Sequence, residues 1–436
     1  MKNHFRIALS RWWARALFVC SVTLLAGSYV VAAGRVWLAA KWTATSDIKL
    51  LRRATRIEPQ DEEPWHRLGW YESWNFEQEE IRQAIKDYER AAQLDPGADQ
   101  IWLDLAAAYE TAGDTANARR AYENAKLAHP ISGEVAWRYG NYLLRQGSTP
   151  DANAQFRLAV QHDLNLAPSV VAECSKSGES ADLIFDRALP PDAGAYIAGM
   201  DYYLNQNQIE DAVSGWKRLA SFGQTVPLQP SFPLINSLIA ASRIAEAHNI
   251  WQQALRMSGW PATDSKGGSL VFDGGFEHEL VNGGFGWRAE PLSGASFEFD
   301  LAIAHSGARS LRISLDGSSN GGFQNLVQYV NVRPAQTYSF SAFLRTQDIT
   351  TDRGFYFAIY DPRDPDQSKS STPELIGTRE WTEVTADFTA GSETELAVIV
   401  LRREASRKID NKIKGVVWVD DVALMQTPPA LPTGGR

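Results

Sequence analysis

Few residues in this chain could do chemistry, and spacing removes most of those. Two adjacent carboxylates, Asp420 and Asp421, lie in the run Val417-Trp-Val-Asp-Asp-Val422. A glycosidase needs two carboxyl groups flanking one glycosidic bond. Neighbours on a strand point to opposite faces, so this pair is not expected to serve as acid and base. Gly317-Ser-Ser-Asn-Gly321 matches G-x-S-x-G, but a nucleophile elbow needs a strand before it and a helix after it. Here the motif is a Gly/Ser loop between two expected strands. The seven histidines are scattered without an H-E-x-x-H or other ligand spacing. Cys20 and Cys174 give neither a disulfide framework nor a zinc set. No glycine loop opens a helix to hold phosphate. The sequence is read as having no catalytic centre.

Binding remains, and composition narrows it. A chain of 436 residues is long enough for two or three domains. Its 44% apolar and 22% charged residues fit a globular protein. A net charge of -9 argues against a broad nucleic-acid face, which needs clustered Lys and Arg. The 15 tryptophans against 4 methionines suit sugar or peptide contact, although Trp also builds cores.

Residues 1–15 are basic, with Lys2, Arg6, Arg11 and Arg15, and residues 16–34 carry no charge. The uncharged run is long enough for a ~30 Å hydrocarbon core. Trp12, Trp13 and Trp37 flank it as interfacial aromatics would. Two readings fit. Val31-Ala32-Ala33 loosely resembles the cleavage site of a secretory signal. The length of the run, and the lack of a strict small-x-small site, favour an uncleaved transmembrane signal anchor. Positive charges on both sides leave orientation undecided by count.

From residue 47 to 259 the period is helical. Pro59, Pro96 and Pro130 are spaced 37 and then 34 residues apart. The extra three residues fit a longer turn near 75–80. Residues 99–130 hold Trp102, Leu105, Ala106 and Tyr109, a Gly113-Asp114 break, then Ala118, Tyr122, Ala125 and Pro130. This pattern resembles the tetratricopeptide repeat, a helix–turn–helix of about 34 residues. Its alanines allow close helix approach and its tyrosines fill between turns. Similar units are expected at 62–96 and 133–164, and degenerate ones at 195–222 and 234–259, after a leading helix at 47–59. A further helix is expected at 180–189, and the pattern degrades beyond Pro168. The resemblance implies a concave groove lined by the first helix of each repeat. The matching positions are Glu63, His66 and Trp70, then Gln100, Leu103, Ala107 and Glu110, then Glu134, Trp137, Asn141 and Leu144. Of these His66, Trp70, Leu103, Glu110, Trp137 and Asn141 are the expected contacts for a protein partner, with Trp70 and Trp137 foremost.

Residues 260–268 are a linker without periodicity. After it the period becomes two: Tyr338, Phe340, Ala342 and Leu344 alternate with Ser339, Ser341, Phe343 and Arg345. About ten short strands over 269–426 predict an antiparallel sandwich, followed by a Pro- and Gly-rich tail at 427–436, expected to be disordered. Asp273-Gly-Gly-Phe-Glu277, Trp287, His305-Ser-Gly-Ala-Arg-Ser-Leu311 and Val417-Trp-Val-Asp-Asp-Val422 recur in order. This set resembles the CenC-like carbohydrate-binding modules, jelly rolls of the galactose-binding type. The resemblance implies a structural calcium at Glu277, His305, Ser306 and Asp421, held by carboxylate and carbonyl oxygens. The alternative is that these acids pair with cations or cap turns. It also implies a glycan face, for which Gln328, Phe343, Arg345, Tyr356 and Arg402 are the candidates. Trp287, Trp381 and Trp418 are expected in the core.

The chain is thus read as multidomain α and β: an N-terminal transmembrane helix, an α-solenoid of repeat-like helix pairs and a C-terminal antiparallel jelly roll. The resulting expectation is a single-pass inner-membrane protein, mostly periplasmic or extracytoplasmic. It would be a non-enzymatic scaffold that meets protein in its groove and polysaccharide on its jelly roll. Exopolysaccharide or envelope assembly would suit such a protein. The alternatives are a sandwich that serves only as a spacer, or an accessory subunit of a glycan-processing enzyme.

Overall fold

The computed structural model describes residues 11–74, 78–260, 268–366, 368–409 and 411–428. Most of the basic segment, the centre of the insertion near 75–80, nearly all of the linker and most of the tail lie outside the described residues. The chain divides into two compact units, Met1–Pro190 and Pro191–Arg436.

The first unit is helical: α1 (Trp12–Thr43), α2 (Ile48–Ile57), α3 (Glu62–Ser73), α4 (Gln78–Leu94), α5 (Asp99–Thr111), α6 (Thr115–Ala128), α7 (Gly133–Arg145), α8 (Thr149–His162), α9 (Ala167–Lys176) and the short α10 (Ala181–Leu183), which widens into a π-turn over Ile184–Ala188. The 32 residues of α1 span about 48 Å at 1.5 Å each. The helix is long and apolar enough to cross a membrane, and its side chains from 16 to 34 are exposed. Only its end docks. Ala39 and Thr43 are buried, and Arg35 pairs with Glu58 at 3.4 Å.

Sequence explains the repeat geometry locally. Asp47, Asp114 and Ser132 cap α2, α6 and α7 through backbone N–H groups of Lys49, Asn117 and Val135. Gly113, at φ 77°, ends α5 where a side chain would be strained. Small residues sit where helices meet. A Cβ at Gly140 would lie 2.6 Å from the Phe156 ring, and Ala106, Ala118 and Ala125 have no exposed surface. Tyr122 stacks on Tyr139 at 5.4 Å, filling the space between α6 and α7. Pro168 marks the fading of the repeat pattern in the sequence, yet in the structure it stands in the first turn of α9, where a missing N–H costs nothing.

The second unit opens with α11 (Ala193–Asn205), α12 (Ile209–Ser221), α13 (Phe232–Ala240) and α14 (Ile244–Met257). Ten strands follow: β1 (Arg288–Ala289), β2 (Ala295–Asp300), β3 (Ser310–Asp316), β4 (Phe323–Asn331), β5 (Thr337–Ile349), β6 (Tyr356–Tyr360), β7 (Lys369–Ser371), β8 (Gly377–Thr389), β9 (Leu396–Arg403) and β10 (Lys414–Gln426). They form two five-stranded antiparallel sheets, β1-β4-β9-β6-β7 and β2-β3-β10-β5-β8. Between the sheets lies a core that includes Phe276, Trp287, Ile313, Phe340, Leu344, Phe357, Ile399 and Val419.

The unit boundary falls inside the 47–259 helical range because α13 and α14 share a core with the start of the sandwich. Trp251 meets Phe272 with ring centres 5.3 Å apart. Gly283 and Gly284 let Phe232 and Trp251 approach so closely that a Cβ would lie 2.1 and 2.5 Å from those rings. Trp287 is in the core as expected. Trp418 is buried but outside the inter-sheet core; Arg345 lies 5.6 Å above it and Asp300 accepts its Nε1–H at 2.8 Å. Trp381 is only half-buried.

Candidate functional site

The five residues expected on one glycan face are distributed over three environments. Tyr356 and Arg402 sit directly opposite each other on β6 and β9 of the first sheet. Phe343 and Arg345 belong to β5 of the second sheet, on its outer side. Gln328 has no exposed surface. Its amide accepts from the Phe272 N–H at 3.0 Å and donates to the Phe272 carbonyl at 2.8 Å. Gln328 is therefore a buried backbone clamp and not a sugar contact; its polar ends are consumed in tying the first segment of the sandwich to β4.

The outer face of the first sheet is the coherent surface. Ala358, Val398 and Val400 form its floor, packed by Val327, Tyr329, Tyr356 and Tyr360. Tyr356 Oη donates to Glu404 Oε1 at 3.0 Å, and burial together with that carboxylate raises the phenol above its ordinary range. The Arg288 guanidinium lies 4.3 Å over the Tyr329 ring. Burial lowers it from the ordinary arginine value, and its Nη1 is buried without a hydrogen-bond partner among the described residues. Apolar floor, aromatic rim and planar cations together suit a ligand with apolar faces and edge hydroxyls. Tyr329, Tyr360 and Arg288 were missed. The run Leu396-Ala-Val-Ile-Val-Leu401 is buried on both faces, so it shows no alternation to reveal which neighbours face outward.

The second sheet's outer side carries the expected metal residues. A cavity of about 470 Å³ is lined by Glu277, Ser306, Phe343 and Asp421. The His305 ring stacks on Phe343 with centres 3.5 Å apart. The two adjacent aspartates do not point to opposite faces, because β10 bulges between Asp420 and Ala423, with Asp421 at φ 47°. Both reach one loop. Asp420 Oδ2 accepts the N–H groups of His305 and Ser306 at 2.7 and 3.1 Å. Asp421 pairs with His305 Nδ1 and accepts from Ser306 Oγ, each at 2.7 Å. Burial raises Asp420, against the pull of those N–H bonds. Glu277 Oε1 accepts from the Ala308 N–H at 2.9 Å. The four expected residues are thus brought together, with their oxygens engaged by protein donors. Among the described residues no three His, Cys, Asp or Glu side chains converge as a metal cage. The G-x-S-x-G segment lies between β3 and β4, with a strand and not a helix after it.

In the first unit, the expected groove contacts also separate. Leu103 is 1% exposed and belongs to the helix core, a correction to its reading as a contact. Glu110 is already held by Arg145 at 2.8 Å and by Tyr122 Oη at 2.7 Å. His66 pairs with Asp104 at 2.9 Å. Burial works to raise Asp104, but bonds from His66 and Gln100 outweigh it and hold the carboxyl below its usual range. The Asn141 amide donates to the Trp137 carbonyl, and Trp137 is half-buried against Phe156. Trp70 stays exposed and meets Trp74, which is 64% exposed, at 5.3 Å. The two tryptophans open on a cavity of about 220 Å³ that Asp104, Ala107 and Thr111 also line. Trp74 was missed because it lies just beyond the end of α3, outside the positions the repeat pattern samples.

Comparisons with known proteins follow this division. Residues 268–404 match the carbohydrate binding domain family, and residues 76–126 and 109–164 match the tetratricopeptide repeat. Both are non-catalytic kinds of domain. No curated protein matches the chain. Among solved structures, the chain is similar to YrrB, described as a TPR protein with an unusual peptide-binding site, at 14% identity over 49% of this chain and 94% of that one, with a TM-score of 0.26. It is similar to pilF of Pseudomonas aeruginosa at 12% identity over 53% and 92%, TM-score 0.29. It is similar to the CBM22-1 xylan-binding domain of Paenibacillus barcinonensis Xyn10C at 13% identity over 37% and 97%, TM-score 0.27.

Proposed function

We propose that this chain, a tetratricopeptide-repeat protein with a C-terminal carbohydrate-binding domain, is a non-enzymatic scaffold anchored through α1. Its sandwich holds glycan on the outer face of the first sheet, and its repeats hold a protein partner at Trp70 and Trp74. The observation that carries the reading is the tyrosine-rimmed apolar floor of Ala358, Val398 and Val400, in a domain of a carbohydrate-binding family. A role in exopolysaccharide or envelope assembly suits a protein that joins glycan to a membrane, with the bulk of the chain outside the cytoplasm. The test is a glycan array with the full chain in detergent, beside Tyr356→Ala. Binding that the variant loses supports the reading; an array without signal removes it. Protease accessibility in spheroplasts tests the orientation.

A spacer role for the sandwich is the second reading. It is favoured by Arg288 lying over one face of Tyr329 and by Tyr356 being bound to Glu404, since a sugar would have to compete for both rings. Calcium at Glu277 and Asp421 is a separate proposal. The ion would have to replace His305 and Ser306 as partners of Asp421. Melting in calcium against melting in chelator tests it, and an unchanged midpoint removes it.

A further inference from the structure

A cavity of about 320 Å³ lies where α14 meets the sandwich. Its walls include His248 and Gln252 from α14, Phe272, and Tyr329 and Asn331 from β4. Three features make it a built site. First, four of its polar side chains keep hydrogen-bonding capacity to spare. His248 and Gln252 approach only each other, at 3.4 Å, and among the described residues neither the Asn331 amide nor the Tyr329 hydroxyl has a hydrogen-bond partner. All four are half-buried, so each keeps donor or acceptor capacity for a ligand that enters the cavity. Second, those groups share a chemistry. Burial lowers His248 from the ordinary imidazole value, which leaves a neutral ring with one donor and one acceptor. Amide, phenol and neutral imidazole each donate and accept, as sugar hydroxyls do; the charged residues that also line the cavity, Asp273 and Arg333, are of opposite sign, and the Asp273 carboxylate already accepts the Glu277 and His278 N–H groups. Third, Tyr329 belongs both to this cavity and to the aromatic rim of the first sheet's outer face. A chain lying on that face would run into α14 at the Tyr329 end.

We propose that α14 and the sandwich together form a pocket for the terminal residue of a neutral glycan, with His248, Gln252 and Asn331 taking its hydroxyls and Phe272 and Tyr329 its apolar faces. The volume is near the lower limit of ligand pockets, roughly 300 to 1,000 Å³, which suits one or two rings and not an extended segment. The helical half would then contribute directly to glycan recognition, which becomes recognition of chain ends. This inference rests on the outer face being a glycan site.

The experiment uses the full chain in detergent and titration calorimetry with xylohexaose, cellohexaose and mannohexaose. Each is tested unmodified, reduced to the alditol, and capped at the other end, by 4,6-O-ethylidene on the glucose and mannose chains and by a 4-O-methyl group on the xylose chain, which has no O6. For the hexaose that binds, modifying one end is expected to weaken affinity by about tenfold or more, and His248→Ala and Gln252→Ala are expected to weaken the unmodified sugar similarly. Melting of each variant checks folding, and the end-modified sugars need no variant at all. Equal binding of all three forms, with Tyr356→Ala still abolishing it, would overturn the end pocket and leave the glycan face standing. No binding by any hexaose would remove both.

Discussion

Asp87 offers the sharpest physical test in the first unit. It lies on α4 at 3% exposure, facing Glu72 of α3, which is 4% exposed. Arg52 of α2 donates to Glu72 Oε1 at 2.8 Å, and Gln83 donates to Asp87 Oδ1 at 3.2 Å. Glu72 Oε2 and Asp87 Oδ2 are both buried without a donor, as two acceptors must be unless they share a proton. Burial first, and Glu72 second, push the Asp87 carboxyl up to about 7. The unfolded chain would lose that proton near pH 4. Between those values the folded state holds more protons, so stability is full below about pH 4, falls as pH rises, and levels off above about 7. The ceiling on the loss is ~4 kcal/mol. Sharing with Glu72 and screening through the solvent-facing side of Arg52 reduce the expected loss to about 2 kcal/mol. Asp87→Asn removes the titration, keeps the Gln83 contact and gives Glu72 a donor. At pH 7.5 it should stabilise the unit by ~1–2 kcal/mol and slow hydrogen exchange in α3 and α4. At pH 4 the gain should vanish. Destabilisation by Asp87→Asn at pH 7.5, or wild-type protection that rises from pH 5 to 7, would refute the shared proton.

Other expected outcomes follow from single contacts. Gly140→Ala should cost about 1–3 kcal/mol, read by denaturant melting, because its Cβ meets the Phe156 ring at 2.6 Å. Trp70→Ala with Trp74→Ala should abolish partner capture with the melting temperature unchanged. Leu103→Ala should instead cost ~2–4 kcal/mol of stability, as a core truncation does. Asp420→Ala should free the His305–Ser306 loop, measured as loss of hydrogen-exchange protection at those two amides, with the opposing sheet unaffected.

What the sequence revealed depends on how many constraints each residue met. Ala106, Ala118, Tyr122 and Ala125 were legible because one role, close helix packing, fixes both their type and their phase. Strand β5 was legible because one face is buried and the other is not, so its residues alternate. Strand β9 was not, since burial on both faces erases the alternation. The aspartate pair was misread for a related reason. The period of two holds only for a regular strand, and the bulge at Asp421 breaks it. Gln328 was misassigned because a planar amide suits a sugar hydroxyl and a backbone peptide equally well; only its depth separates the two. Trp74 lies just past the helix positions that the repeat pattern samples, and α14's contribution to the sandwich depends on contacts between segments that no local pattern encodes.

The junction of α14 with the sandwich gives a last prediction, about where the chain can be cut. The period change near residue 260 places a domain boundary there, so a fragment of residues 269–436 should fold alone if the sequence reading suffices. The structure requires otherwise. Trp251 is 1% exposed and Phe285 is 3% exposed, and Trp251 also closes on Phe272. Removing the helices uncovers Phe285 and Phe272 and leaves Gly283 and Gly284 facing water where Phe232 and Trp251 had been. Keeping one such aromatic side chain out of water is worth about 1.5–3 kcal/mol, so the short fragment should be less stable by ~3–6 kcal/mol than residues 191–436. That is a large share of the roughly 5–15 kcal/mol of an ordinary domain. Urea midpoints of the two fragments measure the difference. Equal midpoints would mean that the helices only rest against the sandwich, and α14 could then not be a wall of a ligand site either.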